Sequence, residues 1–315
     1  MKKLVLLDAS TLGEVPNLTK LQQFGHLDAY PVTLPHQTAE RIKDADIVLT
    51  NKVKLDKTLL PQAPQLKLIC IMATGMNNVD LEAAEQLGIS VKNVAGYSTH
   101  SVAQHTFALL LYLLNQTGYY HEYVTSGKYS QQHIFTHLGK AFWQLQGKTF
   151  GILGLGNIGS QVAQIAQAFG CEVIYHSTSG KNTQQPYRQV DLETFLDESD
   201  IISVHCPLNE KTHNLLNYTQ IQKMKPSSIL INTSRGGIIH EAALAKALDD
   251  HLIAAAAIDV FEKEPLEPSH PYLNIKNKEK LVLTPHMAWG SIESRTELVD
   301  LTVQNIQQHF AGKEE

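Results

Sequence analysis

Residues 149–159 read Thr-Phe-Gly-Ile-Leu-Gly-Leu-Gly-Asn-Ile-Gly, and what flanks them decides the fold. The apolar run Thr149–Leu153 has the composition of a buried strand. A helical pattern occupies Asn157–Phe169, and a second apolar run starts at Glu172. Gly154, Gly156 and Gly159 therefore stand as G-x-G-x-x-G between a strand and a helix, the context that gives this pattern its meaning. Gly154 permits the tight turn, Gly156 lets the backbone approach a pyrophosphate, and Gly159 allows close helix–strand packing. The helix N-terminus adds N–H groups and a partial positive charge. A purely structural turn is the plainer alternative. The stretch predicts a parallel α/β domain of the dinucleotide-binding Rossmann type.

Outward from this turn the same alternation continues. Thr149–Leu153, Glu172–Tyr175, Ile201–His205, Ser228–Asn232, Ile253–Asp259 and Leu281–Thr284 read as six strands, the number of a two-halved Rossmann sheet. Toward the N-terminus, Lys3–Leu7, Leu27–Tyr30, Asp46–Thr50, Lys67–Ile71 and Ile89–Val91 read as five more, suiting a flavodoxin-like sheet. Between the two sets lies a heavily apolar helix from Ser101 to Leu114, then a polar, aromatic-rich arm over 115–146 with no strand pattern. The last helix, about Ser291 to Phe310, follows the sixth strand and has no place in that sheet, so it is expected to return to the first domain. The reading is α/β throughout, with two doubly wound parallel-sheet domains. One is a discontinuous flavodoxin-like domain of residues 1–98 and 289–315; the other is a Rossmann domain of residues 99–288.

Composition narrows the function classes. The chain has 315 residues, 43% of them hydrophobic and 18% charged, which excludes collagen-like and disordered readings. A net charge of −5 gives no broad basic surface for nucleic acid. The run Leu4–Leu7 before Asp8 is too short for a signal-peptide core, and Phe107–Leu114 is far short of the roughly 20 residues of a membrane span. Cys70, Cys171 and Cys206 form no CxxC pair and read as reduced, buried thiols. A cytoplasmic protein with no metal site is expected.

Open α/β sheets place ligands beyond the carboxyl ends of their strands. There, Arg235 follows the fourth strand, Asp259 ends the fifth with Glu264 in the next loop, and His286 follows the sixth. Singly, each has a plain reading: a surface cation, a solvated acid, a turn residue. Together they suit one reaction. Arginine grips a carboxylate with a fork of hydrogen bonds. A glutamate beside a histidine favours the imidazolium, a proton donor. That set fits reduction of a 2-oxo acid to a 2-hydroxy acid.

The sequence resembles the D-isomer-specific 2-hydroxyacid dehydrogenase family over essentially its whole length. The resemblance rests on Ala73-Thr-Gly-Met-Asn-Asn-Val-Asp, Gly154–Gly159, His205-Cys-Pro-Leu-Asn-Glu-Lys-Thr, Met224–Gly237, Asp259–Pro265 and Thr284-Pro-His, in order. The ending Pro285-His-Met-Ala-Trp-Gly-Ser-Ile-Glu-Ser-Arg is similar to the glycerate dehydrogenase (hydroxypyruvate reductase) branch. The resemblance implies that Arg235 orients substrate, His286 is the acid–base residue and Glu264 is its carboxylate partner. It implies a substrate-carboxylate loop at Ala73, Thr74 and Gly75, with Lys52 beside the substrate. For a nicotinamide cofactor it implies the turn residues Gly154, Leu155, Gly156, Asn157, Ile158 and Gly159, with Ser177 and Thr178 after the second strand. Farther along, it implies His205, Cys206, Pro207 and Thr212, then Thr233 and Ser234, and finally Asp259 and Ala288, with Thr106 on the long helix. It also implies a homodimer joined through the arm, and a small 2-oxo or 2-hydroxy acid such as hydroxypyruvate or glyoxylate as substrate.

Three rival functions share the fold. Formate dehydrogenases resemble this chain but carry glutamine where Glu264 stands. Short phosphoglycerate dehydrogenases remain open, with Lys52 or Lys54 as a phosphate ligand. Dinucleotide-sensing corepressors keep the Arg–Glu–His set but have a long disordered tail. For the cofactor, an NAD-selective site ends the second strand with an acid that repels a 2′-phosphate. Ser177 occupies that place, so NADP(H) is expected to be accepted, with NAD(H) usable. Trp289 has two readings, a pocket wall or packing at the domain junction.

Overall fold

The computed structural model describes residues 1–182 and 185–311. The chain divides into two compact units, Met1–Ser98 with the segment that begins at Trp289, and Thr99–Ala288.

The first unit holds the strands β1 (Lys2–Leu6), β2 (Gly25–Ala29), β3 (Ile47–Thr50), β4 (Leu68–Ile71) and β5 (Ser90–Asn93). All pair in parallel in the order β2-β1-β3-β4-β5, the flavodoxin-like order. Of the three interior strands, β3 (Ile-Val-Leu-Thr) and β4 (Leu-Ile-Cys-Ile) are buried at every position, as a sheet covered on both faces requires. Helix Leu81–Gln86 starts where the Asp80 carboxylate accepts from Ala83 N–H at 3.0 Å, and it stops at Gly88, whose φ of 70° suits a glycine. The C-terminal helix, Ile292–Ala311, buries Leu298, Val299, Val303 and Ile306 among Leu4, Leu6, Leu68 and Cys70 of this unit. Trp289 packs edge-on against Tyr97 at 6.3 Å between ring centroids.

The second unit holds β6 (Thr149–Leu153), β7 (Glu172–His176), β8 (Arg188–Gln189), β9 (Ile201–Val204), β10 (Ile229–Asn232), β11 (Ala255–Ile258) and β12 (Leu281–Leu283). Their parallel order is β12-β11-β10-β9-β6-β7-β8. Counted from β6, this is the Rossmann order 3-2-1-4-5-6 with a seventh strand beyond the sixth. The six strands read from sequence are thus one short. The missing strand is β8, which is two residues long, polar and exposed on both, so it has no apolar run to betray it. The strand expected as sixth is the seventh.

Helix Thr99–Leu114 buries eight side chains, and Phe107 stacks on Phe150 and Phe169. The arm, read as lacking strands, does contain regular structure: a helix over Thr117–Thr125 and a single 3₁₀ turn over Tyr129–Gln131. That helix buries none of its residues, so no apolar period announces it. No described helix is long and apolar enough to cross a membrane.

Candidate active site

The glycine turn after β6 is built as its spacing implies. Gly154 has φ 94°, and a Cβ there would lie 2.7 Å from the Cys206 backbone. A Cβ on Gly159 would lie 2.3 Å from the Gly154 carbonyl oxygen, so any side chain would push the helix off the strand. Gly156 differs: it caps helix Asn157–Ala168, and a Cβ there would meet nothing within 4 Å. Open space over a bare backbone at a helix N-terminus is the cradle a pyrophosphate needs, so these residues fit a dinucleotide.

Around this turn the expected cofactor residues divide into two groups. Ser177 and Thr178 follow β7 directly and are partly exposed, and no carboxylate occurs from Ser177 to Asn182. Asn182, which no motif signals, donates to the Leu155 carbonyl at 3.0 Å and ties this loop to the glycine turn. Cys206, Thr212 and Thr106 are buried and hold loops together. Thr212 donates to the Pro207 carbonyl at 2.7 Å and accepts from Asn209 N–H at 2.8 Å. Thr106 donates to the Val102 carbonyl, and its hydroxyl meets that of Thr233 at 3.1 Å. Thr106 and Thr212 have no exposed surface to offer a ligand directly. Burial pushes the Cys206 thiol up to about 12, Cys70 to about 12 and Cys171 to about 11, so all three are inert at neutral pH. Desolvation pushes His205 down to about 3; it is a neutral ring beside the Ser203 hydroxyl at 2.8 Å.

The three expected catalytic residues stand on consecutive strand-end loops of this unit. Asn232, at the end of β10, folds the first loop over itself. Its Oδ1 accepts from Ser234 N–H at 3.0 Å, and its Nδ2 donates to the Arg235 carbonyl at 2.9 Å. Ser234 also donates to the Cys206 carbonyl at 2.6 Å. Arg235 is presented partly exposed on that turn. The next residue, Gly236, lies so close to the following loop that a Cβ would fall 1.9 Å from the Phe261 carbonyl carbon. The Arg235 turn and the loop carrying Glu264 are thereby pressed together, backbone on backbone.

Glu264 faces His286. The Nδ1 of His286 lies 2.7 Å from Glu264 Oε2 and 2.9 Å from Oε1. Phe261 N–H donates to the same Oε1 at 3.0 Å, which fixes the carboxylate from behind. With Nδ1 directed at Glu264, Nε2 is the ring nitrogen turned elsewhere, as an acid–base histidine requires. His286 itself has φ 53°, a left-handed conformation costly for any residue but glycine. Asp259 holds it there. This fully buried carboxylate accepts from Thr284 Oγ1 at 2.5 Å, Met287 N–H at 2.9 Å and Ala288 N–H at 2.9 Å. Asp259 was expected beside the cofactor; both of its oxygens are engaged by the His286 loop. His105, which sequence reading passed over, meets the Thr284 hydroxyl at 3.1 Å and stands 3.7 Å from Asp259.

In the first unit, Asp8 at the end of β1 has the same kind of task. Its buried carboxylate accepts from Asn51, Lys52 and Val53 N–H at 3.0, 2.7 and 3.3 Å and from Thr50 Oγ1 at 3.2 Å, shaping the loop that bears Lys52. Ala73, Thr74 and Gly75 leave β4 as a partly exposed turn. Asn93 Nδ2 donates to the Thr74 carbonyl at 2.6 Å, and Thr74 Oγ1 donates to the Val94 carbonyl at 3.2 Å. Among the described residues no cluster of histidine, cysteine and carboxylate side chains is arranged to hold a metal.

Residues 107–288 match the family model described as D-isomer specific 2-hydroxyacid dehydrogenase, NAD binding domain. A glyoxylate reductase of Aeropyrum pernix is 40% identical over 290 residues, covering 89% of this chain and 84% of its own. A hydroxypyruvate reductase of Blautia hydrogenotrophica is 35% identical over 318 residues, covering 98% and 97%. Among solved structures, an acyclic imino acid reductase in complex with NADPH and D-Arg superposes with a TM-score of 0.87 at 29% identity, covering 99% of this chain and 98% of that one. With a Rossmann sheet, a dinucleotide turn and a paired His286–Glu264 beside the Arg235 turn, the chain belongs to the D-isomer-specific 2-hydroxyacid dehydrogenase family.

Proposed function

We propose that the protein reduces small 2-oxo acids, hydroxypyruvate and glyoxylate foremost, to their 2-hydroxy acids. The observation that carries this is the His286–Glu264 contact at 2.7 Å, which holds one ring nitrogen on a carboxylate as an acid–base histidine needs. Arg235 grips the substrate carboxylate and draws electron density from the neighbouring carbonyl. His286 Nε2–H gives its proton to the carbonyl oxygen as negative charge builds there, and Glu264 stabilises the imidazolium before the transfer. A bound nicotinamide cofactor supplies the hydride. In the reverse direction neutral His286 takes the hydroxyl proton. The backbone N–H groups of Ala73, Thr74 and Gly75, with Lys52, are proposed as further substrate-binding groups. The names of the glyoxylate and hydroxypyruvate reductases support the choice of substrate. A panel of 2-oxo acids with each reduced cofactor tests it: hydroxypyruvate or glyoxylate should give the highest kcat/KM. Preference for branched or aromatic 2-oxo acids would overturn the assignment.

NADP(H) is proposed as an accepted cofactor, preferred by a modest margin. The support is the neutral Ser177-Thr178-Ser179 run where an acid would repel a 2′-phosphate, with Lys181 following. No arginine is placed there to clamp the phosphate, so NAD(H) stays usable. The NADPH complex of the imino acid reductase accords with this reading. NADH favoured a hundredfold or more, about 2.7 kcal/mol, would refute it.

A homodimer is the third proposal. Ile134, Phe135, Leu138 and Phe142 of the arm are all exposed, Phe135 at 89%. Apolar surface of this density marks an interface. A monomeric mass by light scattering at micromolar concentration would exclude a stable dimer.

A further inference from the structure

A second histidine–carboxylate pair stands behind the catalytic one. Glu241 opens helix Glu241–Asp249, and its Oε2 lies 2.7 Å from His270 Nε2. Both side chains are largely buried, His270 at 9% exposure and Glu241 at 14%. His270 Nδ1 accepts from Tyr272 N–H at 3.3 Å, capping the 3₁₀ turn Pro271–Asn274. A nitrogen that accepts carries no proton, so Nε2 holds the ring's hydrogen and donates it to Glu241. The His270 ring is held on both nitrogens and packed against Phe261 and Tyr272. The charged groups nearby are engaged with one another: Glu262 lies 3.6 Å from His213, and Glu267 is paired with Lys263.

The other oxygen of Glu241 reaches the catalytic loop. Oε1 accepts from Glu262 N–H at 2.8 Å. The preceding amide, Phe261 N–H, is the one that donates to Glu264 Oε1. Two carboxylates thus hold two consecutive amides, and Gly236 presses on the peptide between them. Glu241 needs both of its acceptor oxygens, one for the loop and one for His270; a neutral amide has one.

We propose that Glu241 and His270 are positioning residues for the reaction: His270 orients Glu241, Glu241 pins the Glu262 amide, and the adjoining Phe261 amide sets Glu264 on His286. Neither touches substrate or cofactor. The inference rests on the acid–base reading of His286 and Glu264, and the test separates the two.

The readout is the proton equilibrium of His286 in the cofactor-free protein, followed by NMR of the imidazole Cε1–H resonances. The His286 signal is identified by its loss in H286Q. E264Q removes the partner charge and should move the titration midpoint to lower pH. E241Q, which leaves one donor facing an amide NH₂, should move it in the same direction by at least half as much. H270A should do likewise. H270Q, whose amide still donates to Glu241, should recover most of the native midpoint. In the double variant E241Q/E264Q the midpoint should equal that of E264Q alone, because the pair acts through Glu264. With reduced cofactor, the alkaline limb of the reduction rate should move with the midpoint, and kcat should fall more than KM changes. If E264Q itself leaves the midpoint in place, the acid–base reading fails. If E264Q moves it while E241Q and H270A do not, with native near-UV circular dichroism, the positioning role is refuted. An additive double variant would refute it too.

Discussion

His286 is held in a strained backbone conformation by a buried carboxylate, with a second carboxylate on its Nδ1, and both devices serve one ring. Substituting Gln for His286 keeps the size and removes the acid, so kcat should fall by about 10²–10⁴ with folding intact. Near-native turnover would end the mechanism proposed above. A second residue-scale consequence concerns His205, held neutral with its pKa near 3 while the unfolded chain titrates at about 6.5. Between those values the unfolded state binds a proton that the folded state refuses. Stability from this site is complete above about pH 6.5 and falls as pH drops toward 3, by up to about 1.4 kcal/mol per unit. H205N should flatten the acid-side loss, measured as urea midpoints at pH 7 and pH 5; an unchanged difference would argue against the neutral ring. At this scale the sequence was partly legible. Arg235, Glu264 and His286 stand at strand ends where chemistry is expected, and their order matches a family. Asn182, His105, Glu241 and His270 were not legible, because each acts across a span of sequence with no fixed spacing. Asn232 did carry a signal, an asparagine closing an apolar strand before Thr-Ser, the habit of an Asx turn.

Loops and strands obey simpler rules. Apolar runs located the five strands of the first sheet to within two residues, even Gly25–Ala29 and Ser90–Asn93, which are mostly not buried; Gly154 and Gly159 have no room for a Cβ, whereas Gly156 has open space. Strand β8 and the helix Thr117–Thr125 escaped for a shared cause: neither buries an apolar face, so neither leaves a period in the sequence. Gly236 is the glycine that the motif reading did not explain. Alanine there would drive a methyl into the Phe261 backbone and part the Arg235 turn from the Glu264 loop. G236A should cost about 1–3 kcal/mol of stability, the range for overpacking, and lower kcat/KM further than the thermal shift alone accounts for. A variant with native melting temperature and activity would show the loops to be more compliant than drawn. The loop after β7 makes the complementary case. S177D introduces the missing acid, and the ratio of kcat/KM for NADPH over NADH should fall at least tenfold, about 1.4 kcal/mol. No change in the ratio would place the 2′-position elsewhere.

At the scale of the molecule, the chain leaves the first sheet after Ser98 and returns to it at Trp289, and the two crossing points are neighbours, Tyr97 packing on Trp289. The second unit is therefore one unbroken stretch set into the first as an insert. A ribosome makes this arrangement a matter of timing. By the time Ala288 has emerged, every strand of the seven-stranded sheet exists and can close. The five-stranded sheet, begun first, still lacks the helix that covers Leu4, Leu6 and Leu68, since Ile292–Ala311 is made last. The half translated earliest must wait for the residues translated latest. Residues 99–288 expressed alone should melt cooperatively by circular dichroism, while residues 1–98 alone should bind a hydrophobic dye and show no cooperative transition. If 1–98 melts cooperatively, the order of synthesis does not matter to folding. Otherwise the newborn protein spends the whole time of making its second domain with an apolar sheet face uncovered, a window in which a chaperone would have work to do.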